Sequence, residues 1–225
     1  MDLLTLLDSP NPLLSDAAAP VIDPAIINPS AIRRRIPEKR LIQDMRRIET
    51  AREAVAGLDR DGTEIYGLTR GQFSLTDMIE AIIDITGPAA LTISTWTAAQ
   101  TDVGRMLQLM GSGRISSARW IVDTTFIRRA PALVAEIRRQ FGDDALRVTK
   151  THAKFVILTN SEWQVALRSS MNLNQNPRLE SFEVGHDPAL CAFLSGVADQ
   201  IWQRQPRQLA DAGCSAHTGW WNEQG

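Results

Sequence analysis

The stretch THAKFVILTNSEWQVALRSSMN, residues 151–172, decides how the rest of the chain is read. Phe155 to Leu158 is a short apolar run, and Trp163 to Leu167 is a second. Asn160-Ser161 between them suits a tight turn, so the spacing predicts two strands joined as a β-hairpin. On an extended backbone, residues two apart share a face. His152 and Lys154 then point the same way at one end of the hairpin, and Ser170 and Asn172 do so on the returning strand. An imidazole, an ammonium, a hydroxyl and an amide are thereby expected to meet at paired strand ends.

Upstream of this stretch, strand and helix signals alternate. Ala90 to Thr97 and Ile115 to Asp123 are apolar and β-branched, and Ala145 to Thr149 is a shorter piece of the same kind. Asp102 to Met110 reads as a helix closed by Gly111 and Gly113, and Pro131 to Phe141 as another closed by Gly142. Ser74 and Asp77 form a capping box with Asp in the place of Glu. That box opens a helix carrying Met78, Ile82 and Ile85 on one side and ending at Gly87-Pro88. Downstream, Pro188 to Gln203 places Leu190, Leu194, Val197 and Ile201 on one helical face. Strands separated by helices predict an α/β fold with a mixed, largely parallel sheet flanked by helices.

The flanks read differently. Pro10, Pro12, Pro20, Pro24 and Pro29 interrupt every apolar cluster of residues 1–35, which predicts an extended arm, flexible or docked on a partner. From Pro37, the recurrence of Leu41, Met45, Ile48, Ala51 and Val55 predicts an amphipathic helix stopped by Gly57. Asp59 to Gly71 reads as turn-rich. The expected units are therefore the arm at 1–35, a basic helix and turn at 36–71, an α/β domain at 72–205 and a tail at 206–225. Trp220 and Trp221 in that tail are expected to pack on this chain or a partner. Trp96, Trp120, Trp163 and Trp202 read as core.

Charge narrows the partners. The formal net charge is −2, but it is unevenly placed. Residues 1–31 hold four Asp and no Lys or Arg. Residues 32–57 hold eight basic and four acidic residues, 8 − 4 = +4. Arg33, Arg34, Arg35 and Arg40 in that segment are candidate contacts for a phosphate backbone. The acids interspersed there are equally compatible with a solvated face. No apolar run approaches the roughly 18–20 residues of a membrane span, and Asp2 and Asp8 flanking the leucines of the N-terminus argue against a secretory signal. Cys191 and Cys214 are not in a metal-ligand spacing and read as free thiols of a reducing, cytoplasmic setting.

His152, Lys154, Ser170 and Asn172 in this order resemble the signature of the phospholipase D superfamily, HxK, an acidic residue, then GSxN. Ser169 stands where glycine is usual, and the acidic residue would fall at Thr159, where this chain has none. The resemblance spans about residues 72–204 and implies one half-domain of that fold. It implies phosphodiester chemistry without a metal or other cofactor: a histidine attacks phosphorus, and a second histidine protonates the leaving oxygen. The lysine and asparagine hold the non-bridging oxygens. It also implies a glutamate that orients the histidine, for which Glu180 and Glu183 are candidates; Arg178 is a candidate phosphate ligand. His186 and His217 have no lysine two residues on, so the chain carries one HxK unit where two are needed. A homodimer about a two-fold axis would supply the second. The expected function is a dimeric nuclease with DNA favoured and no membrane substrate. A fold that binds nucleic acid without turnover, or an assembly protein exchanging its arm, are the other classes.

Overall fold

A computed structural model describes residues 39–43 and 48–205. The arm at 1–35, Arg33, Arg34, Arg35, Cys214, His217 and the tail from Pro206 lie outside the described residues, so the expectations for them have no structural counterpart here. The strands are β1 (Lys39–Gln43), β2 (Thr63–Thr69), β3 (Ala89–Thr95), β4 (Ile115–Asp123), β5 (Leu146–Thr149), β6 (Phe155–Thr159), β7 (Gln164–Ser169) and β8 (Glu180–His186). The helices are α1 (Ala51–Ala54), α2 (Leu75–Thr86), α3 (Gln100–Gly111), α4 (Thr124–Arg129), α5 (Pro131–Phe141) and α6 (Pro188–Arg204). The eight strands form a single mixed sheet in the order β1-β2-β8-β7-β6-β3-β4-β5. The right-hand part, β3-β4-β5, is parallel, as is β1-β2. β6, β7 and β8 run as an antiparallel meander, with β8 closing on β2 and β6 on β3.

Local chemistry explains most boundaries. Ser74 caps α2: its hydroxyl accepts from the Asp77 N–H, and the Asp77 carboxylate accepts in return from the Ser74 N–H. Gly87 at φ 77° ends that helix in a conformation a side chain would resist. Pro131 and Pro188 open α5 and α6, where a missing N–H costs nothing. Asn160 sets the β6–β7 turn. Its side-chain oxygen accepts from the N–H groups of Glu162 and Trp163, and its amide donates to the carbonyls of Thr86 and Pro88. The hairpin is therefore tied to the end of α2.

The helix expected from Pro37 to Gly57 does not form as one element. Lys39–Gln43 is a strand parallel to β2, and helix resumes only for Ala51–Ala54. Periodicity misled because Leu41, Ile48, Ala51 and Val55 do line one apolar surface, but from a strand, a loop and one helical turn in succession. Thr50 supplies a full capping box with Glu53, which restarts the helix there. The turn-rich segment from Asp59 likewise contains β2, whose Ile65 is fully buried. β8 and α4 are two further elements that the sequence reading omitted.

The larger core lies on the face covered by α2, α3 and α5, and includes Ile65, Ile93, Trp120, Val122, Val156, Leu167 and Val184. The opposite face is covered by α6, which packs Leu190, Cys191, Ala198 and Ile201 on Ile121, Phe155, Ile157 and Ala166. Trp120 is core as expected, at 0% exposure. Trp163 and Trp202 are half-buried and pack against the two clusters. Burial pushes the Cys191 thiol up to about 12, so it behaves as a small apolar residue. Among the described residues no helix is long and apolar enough to cross a membrane.

Candidate functional site

His152 and Lys154 precede β6, and Ser170 and Asn172 follow β7, so the hairpin brings both pairs to one end of the sheet. This is also the end where the parallel strands β3, β4 and β5 finish, the place where sheets of this kind build their sites. Three neighbouring strands hold the 151–154 backbone. The Asp123 carboxylate at the end of β4 accepts from the Thr151 N–H at 3.2 Å. Ser94 of β3 donates its hydroxyl to the Ala153 carbonyl at 2.8 Å. The Ser169 N–H on β7 donates to the Lys154 carbonyl at 3.2 Å. With the backbone fixed on three sides, the side chains at 152 and 154 are presented outward; His152 is exposed and Lys154 half-buried.

Lys154 curls back over its own motif. Its Nζ lies 3.0 Å from His152 Nδ1 and 3.4 Å from Nε2, and donates to the His152 carbonyl at 2.9 Å. Burial lowers the Lys154 pKa, and the nearby Glu180 carboxylate opposes that in part. A charged ammonium at this distance meets whichever ring nitrogen carries the lone pair.

Asn172 is anchored rather than loose. Its Oδ1 accepts from the Trp96 backbone N–H at 3.3 Å. A backbone N–H can only donate, so the amide is held with its oxygen towards β3 and its NH2 turned away. The flanking chain is pinned to the same place: Leu173 exchanges hydrogen bonds with Thr97 and Ala99. Among the described residues the two donor hydrogens of Asn172 have no partner, at the end of the sheet that also carries His152 and Lys154.

Ser170 donates its one hydroxyl proton to the Glu180 carboxylate and accepts from the Ser181 N–H at 2.9 Å. Its donor is thus occupied, and it acts in this state to hold Glu180. Glu180 was expected to orient His152. Instead it bonds to Ser170 and faces Lys154. Glu183 is turned to the other face of the sheet, where it pairs with Arg168. The expected carboxylate–imidazole contact is absent among the described residues, because β8 begins at Glu180 and its register on β7 places that residue next to Ser170.

Two departures from the motif acquire physical explanations. Ser169, where glycine is usual, donates to the Ser181 carbonyl at 2.7 Å and accepts from the Met171 N–H at 3.0 Å. It staples the bend that a glycine would reach by backbone freedom alone. Thr159, where the acid was expected, ends β6 at the hairpin turn. Five residues of strand, about 17 Å at ~3.3 Å each, separate it from Lys154. An aspartate there would be remote from the imidazole, so its loss removes no group from the cluster.

Arg40 is not part of this cluster. It lies on β1 and pairs with the buried Glu64 at 2.5 Å. Arg178 is exposed in the loop between β7 and β8, at the same end of the sheet as the cluster, with no carboxylate partner among the described residues. Trp96 is not core either: it is half-buried one residue past β3, with its ring 5.8 Å from that of His152 and the Arg129 guanidinium 4.1 Å over it. Sequence reasoning missed Asp123, Ser94, Trp96 and Arg129. Asp123 and Trp96 were nonetheless signalled by their position at the C-terminal ends of strands that were expected to be parallel. Among the described residues no three His, Cys, Asp or Glu side chains are grouped so as to hold a metal ion.

No protein-family model matches the sequence, and no curated protein does. Three solved structures share part of the architecture. Polyphosphate kinase from Porphyromonas gingivalis matches at a TM-score of 0.46 and 11% identity, over 64% of this chain and 26% of that one. TrmBL2, described as an archaeal chromatin protein with a novel mode of DNA binding, matches at 0.41 and 9%, over 66% and 54%. Phosphatidylserine synthase from Haemophilus influenzae Rd KW20 matches at 0.41 and 17%, over 62% and 38%. The chain thus spans between about a quarter and about half of the length of these structures. At such scores the likeness carries nothing about activity.

Proposed function

We propose that this chain is a metal-independent phosphodiesterase of the phospholipase D type, acting on nucleic acid with DNA favoured, and that two copies join to complete the site. The reading is supported by the contact of Lys154 with His152 and by the position of Asn172, held through its oxygen, at the same end of the sheet. A cation and an amide donor beside an imidazole suit a phosphate whose non-bridging oxygens gain charge during displacement.

In the proposed reaction the His152 lone pair attacks phosphorus. The bond to the leaving oxygen breaks, and that oxygen takes a proton from the imidazolium of His152 in a second copy. Water then attacks the phospho-histidine, losing its proton to the same second imidazole, and releases His152. Atoms and protons return to their starting places. Lys154 swings from the imidazole to the substrate, and Asn172 donates where it already stands. Among the described residues of one chain, His152 is the imidazole at this end of the sheet, and its exposure leaves room for a second.

The absence of a carboxylate on the imidazole favours a second reading, a fold that binds nucleic acid without cleaving it. The test is incubation of the purified chain with plasmid DNA, single-stranded DNA and bis-p-nitrophenyl phosphate in EDTA. Cleavage that survives EDTA and is lost in His152→Ala supports the enzyme. Binding without cleavage of any of the three supports the module.

A further inference from the structure

Most described arginines are neutralised within the chain. Arg40 pairs with Glu64, Arg52 and Arg114 with Asp84, Arg105 with Asp77 and Glu80, and Arg119 with Asp199. In the basic segment 32–57, the two described arginines, Arg40 and Arg52, are thus paired within the chain, and Arg33, Arg34, Arg35, Arg46 and Arg47 lie outside the described residues. Arg128, Arg129 and Arg178 have no carboxylate partner among the described residues, nor has Lys150. All four lie on the loops and short helix at the strand ends that carry His152. Arg128 and Arg129 end α4, which continues directly from β4, and Lys150 follows β5. The acids at this end are engaged: Asp123 accepts from Thr125 and Thr151, and Glu180 is held by Ser170 opposite Lys154.

Of these cations Arg129 has the most defined placement. Its guanidinium lies 4.1 Å over the Trp96 ring, and its Nη2 donates to the Trp96 carbonyl at 3.3 Å. A guanidinium held over an indole and by one hydrogen bond to its carbonyl keeps further N–H donors that have no partner among the described residues and can meet a phosphate oxygen. Trp96 also touches the His152 ring, at 5.8 Å between centroids. Laid end to end, those two separations put the guanidinium no more than about 10 Å from the imidazole.

We infer that Arg129, seated on Trp96, binds a phosphate flanking the one attacked by His152, and that the substrate is therefore a polynucleotide strand. Phosphates on one strand recur every ~3.4 Å of helix axis and lie farther apart when the strand is drawn out, so a neighbour one or two nucleotides away falls within this reach. Lys150 and Arg128 extend the same charge along the ends of β4 and β5, as a chain of phosphates needs and a single phosphodiester does not. The inference rests on the phosphodiesterase reading and assigns its substrate class.

The test compares wild type, Arg129→Ala and, as a surface control, Arg139→Ala, whose side chain pairs with Glu136 on α5. A labelled single-stranded oligonucleotide, bis-p-nitrophenyl phosphate and phosphatidylglycerol vesicles are the three probes. Arg129→Ala is expected to raise the oligonucleotide Kd about tenfold at low salt and to reduce the slope of log K against log salt by about one. Its kcat/KM on the oligonucleotide is expected to fall about tenfold more than on bis-p-nitrophenyl phosphate, while Arg139→Ala matches wild type throughout. Equal losses on both substrates, an unchanged salt slope, or Arg129-dependent binding to vesicles but not to the oligonucleotide would overturn it. A wild-type chain that is inert towards all substrates yet binds the oligonucleotide through Arg129 defeats the catalytic reading and, with it, the placement of that phosphate beside an attacked one, leaving only Arg129 as a polynucleotide contact. A chain that neither cleaves nor binds defeats both.

Discussion

Replacing Asn172 separates the chemistry proposed here from the packing around it. In Asn172→Ala the side chain loses the 3.3 Å contact from the Trp96 N–H and a weaker 3.4 Å contact from the Thr95 hydroxyl, whose one proton lies nearer the Thr97 carbonyl at 2.7 Å. A long, half-exposed bond of this kind contributes about 1 kcal/mol. At roughly 2–4 °C per kcal/mol for a domain of this size, the melting temperature should fall by only a few degrees. The lost donor is a different matter. An amide aimed at charge that develops on phosphate oxygen is worth about 10²–10³ in kcat, roughly 2.7–4 kcal/mol. Asn172→Asp divides the two effects: a carboxylate still accepts from Trp96, so stability should stay near wild type, but its oxygens cannot donate and its charge repels the substrate. The assay is hydrolysis of bis-p-nitrophenyl phosphate alongside thermal denaturation of each variant. The reasoning is refuted if Asn172→Asp keeps more than about a tenth of wild-type kcat, or if Asn172→Ala fails to fold at ordinary temperature.

Other outcomes follow from the same geometry. Lys154→Ala should reduce kcat by about 10²–10³ while shifting urea stability by less than about 1 kcal/mol, since among the described residues Lys154 makes no ion pair with an acid at bonding distance; unfolding would mark it as structural. Glu180→Gln removes the charge that opposes the burial-driven lowering of the Lys154 pKa, so the alkaline limb of the pH–rate profile should move to lower pH, and an unmoved limb would count against Lys154 as the titrating cation. His186 has its pKa lowered, first by burial and then by Arg60, and its Nδ1 accepts from the Gln164 N–H. A histidine depressed in the fold contributes stability that is full above its unfolded value of ~6.5 and is lost as pH falls through the folded value. Thermal stability should therefore decline on acidification below about pH 6.5, and His186→Asn should flatten that decline; a curve identical in the variant would refute it.

How much was legible in the sequence depended on whether a segment's signal was local. β4 and α5 were read to the residue, and α2, α3 and α6 to within a residue or two at most ends, because Ser74, Pro131, Pro188 and Gly142 mark boundaries by their own backbone chemistry. β1 and β2 failed because Leu41, Ile48 and Val55 share a buried surface by tertiary accident, and three different elements can mimic one helical period. β8 escaped because its outer-face residues Ser181 and Glu183 are polar and Gly185 has no side chain, leaving Phe182 and Val184 too few to signal a strand. At the site, the hairpin logic put His152, Lys154, Ser170 and Asn172 at one end of the sheet, but all four lie just outside β6 and β7, where the two-residue repeat of strands no longer sets their directions. The role of Glu180 did not follow, since it depends on the register of β8 on β7, which no local pattern encodes. Arg40 did not follow for a related reason: a count of charges along the chain does not reveal which are paired across strands, as Arg40 is with Glu64.

The most direct measurement is the mass of the chain quenched at alkaline pH during turnover of bis-p-nitrophenyl phosphate in EDTA, followed by peptide mapping. A phosphoramidate survives base, so the account predicts a single p-nitrophenylphosphoryl group on the peptide that contains His152, absent in His152→Ala along with the activity. Turnover that persists in His152→Ala at the wild-type rate, or an adduct carried by a different residue, would contradict it.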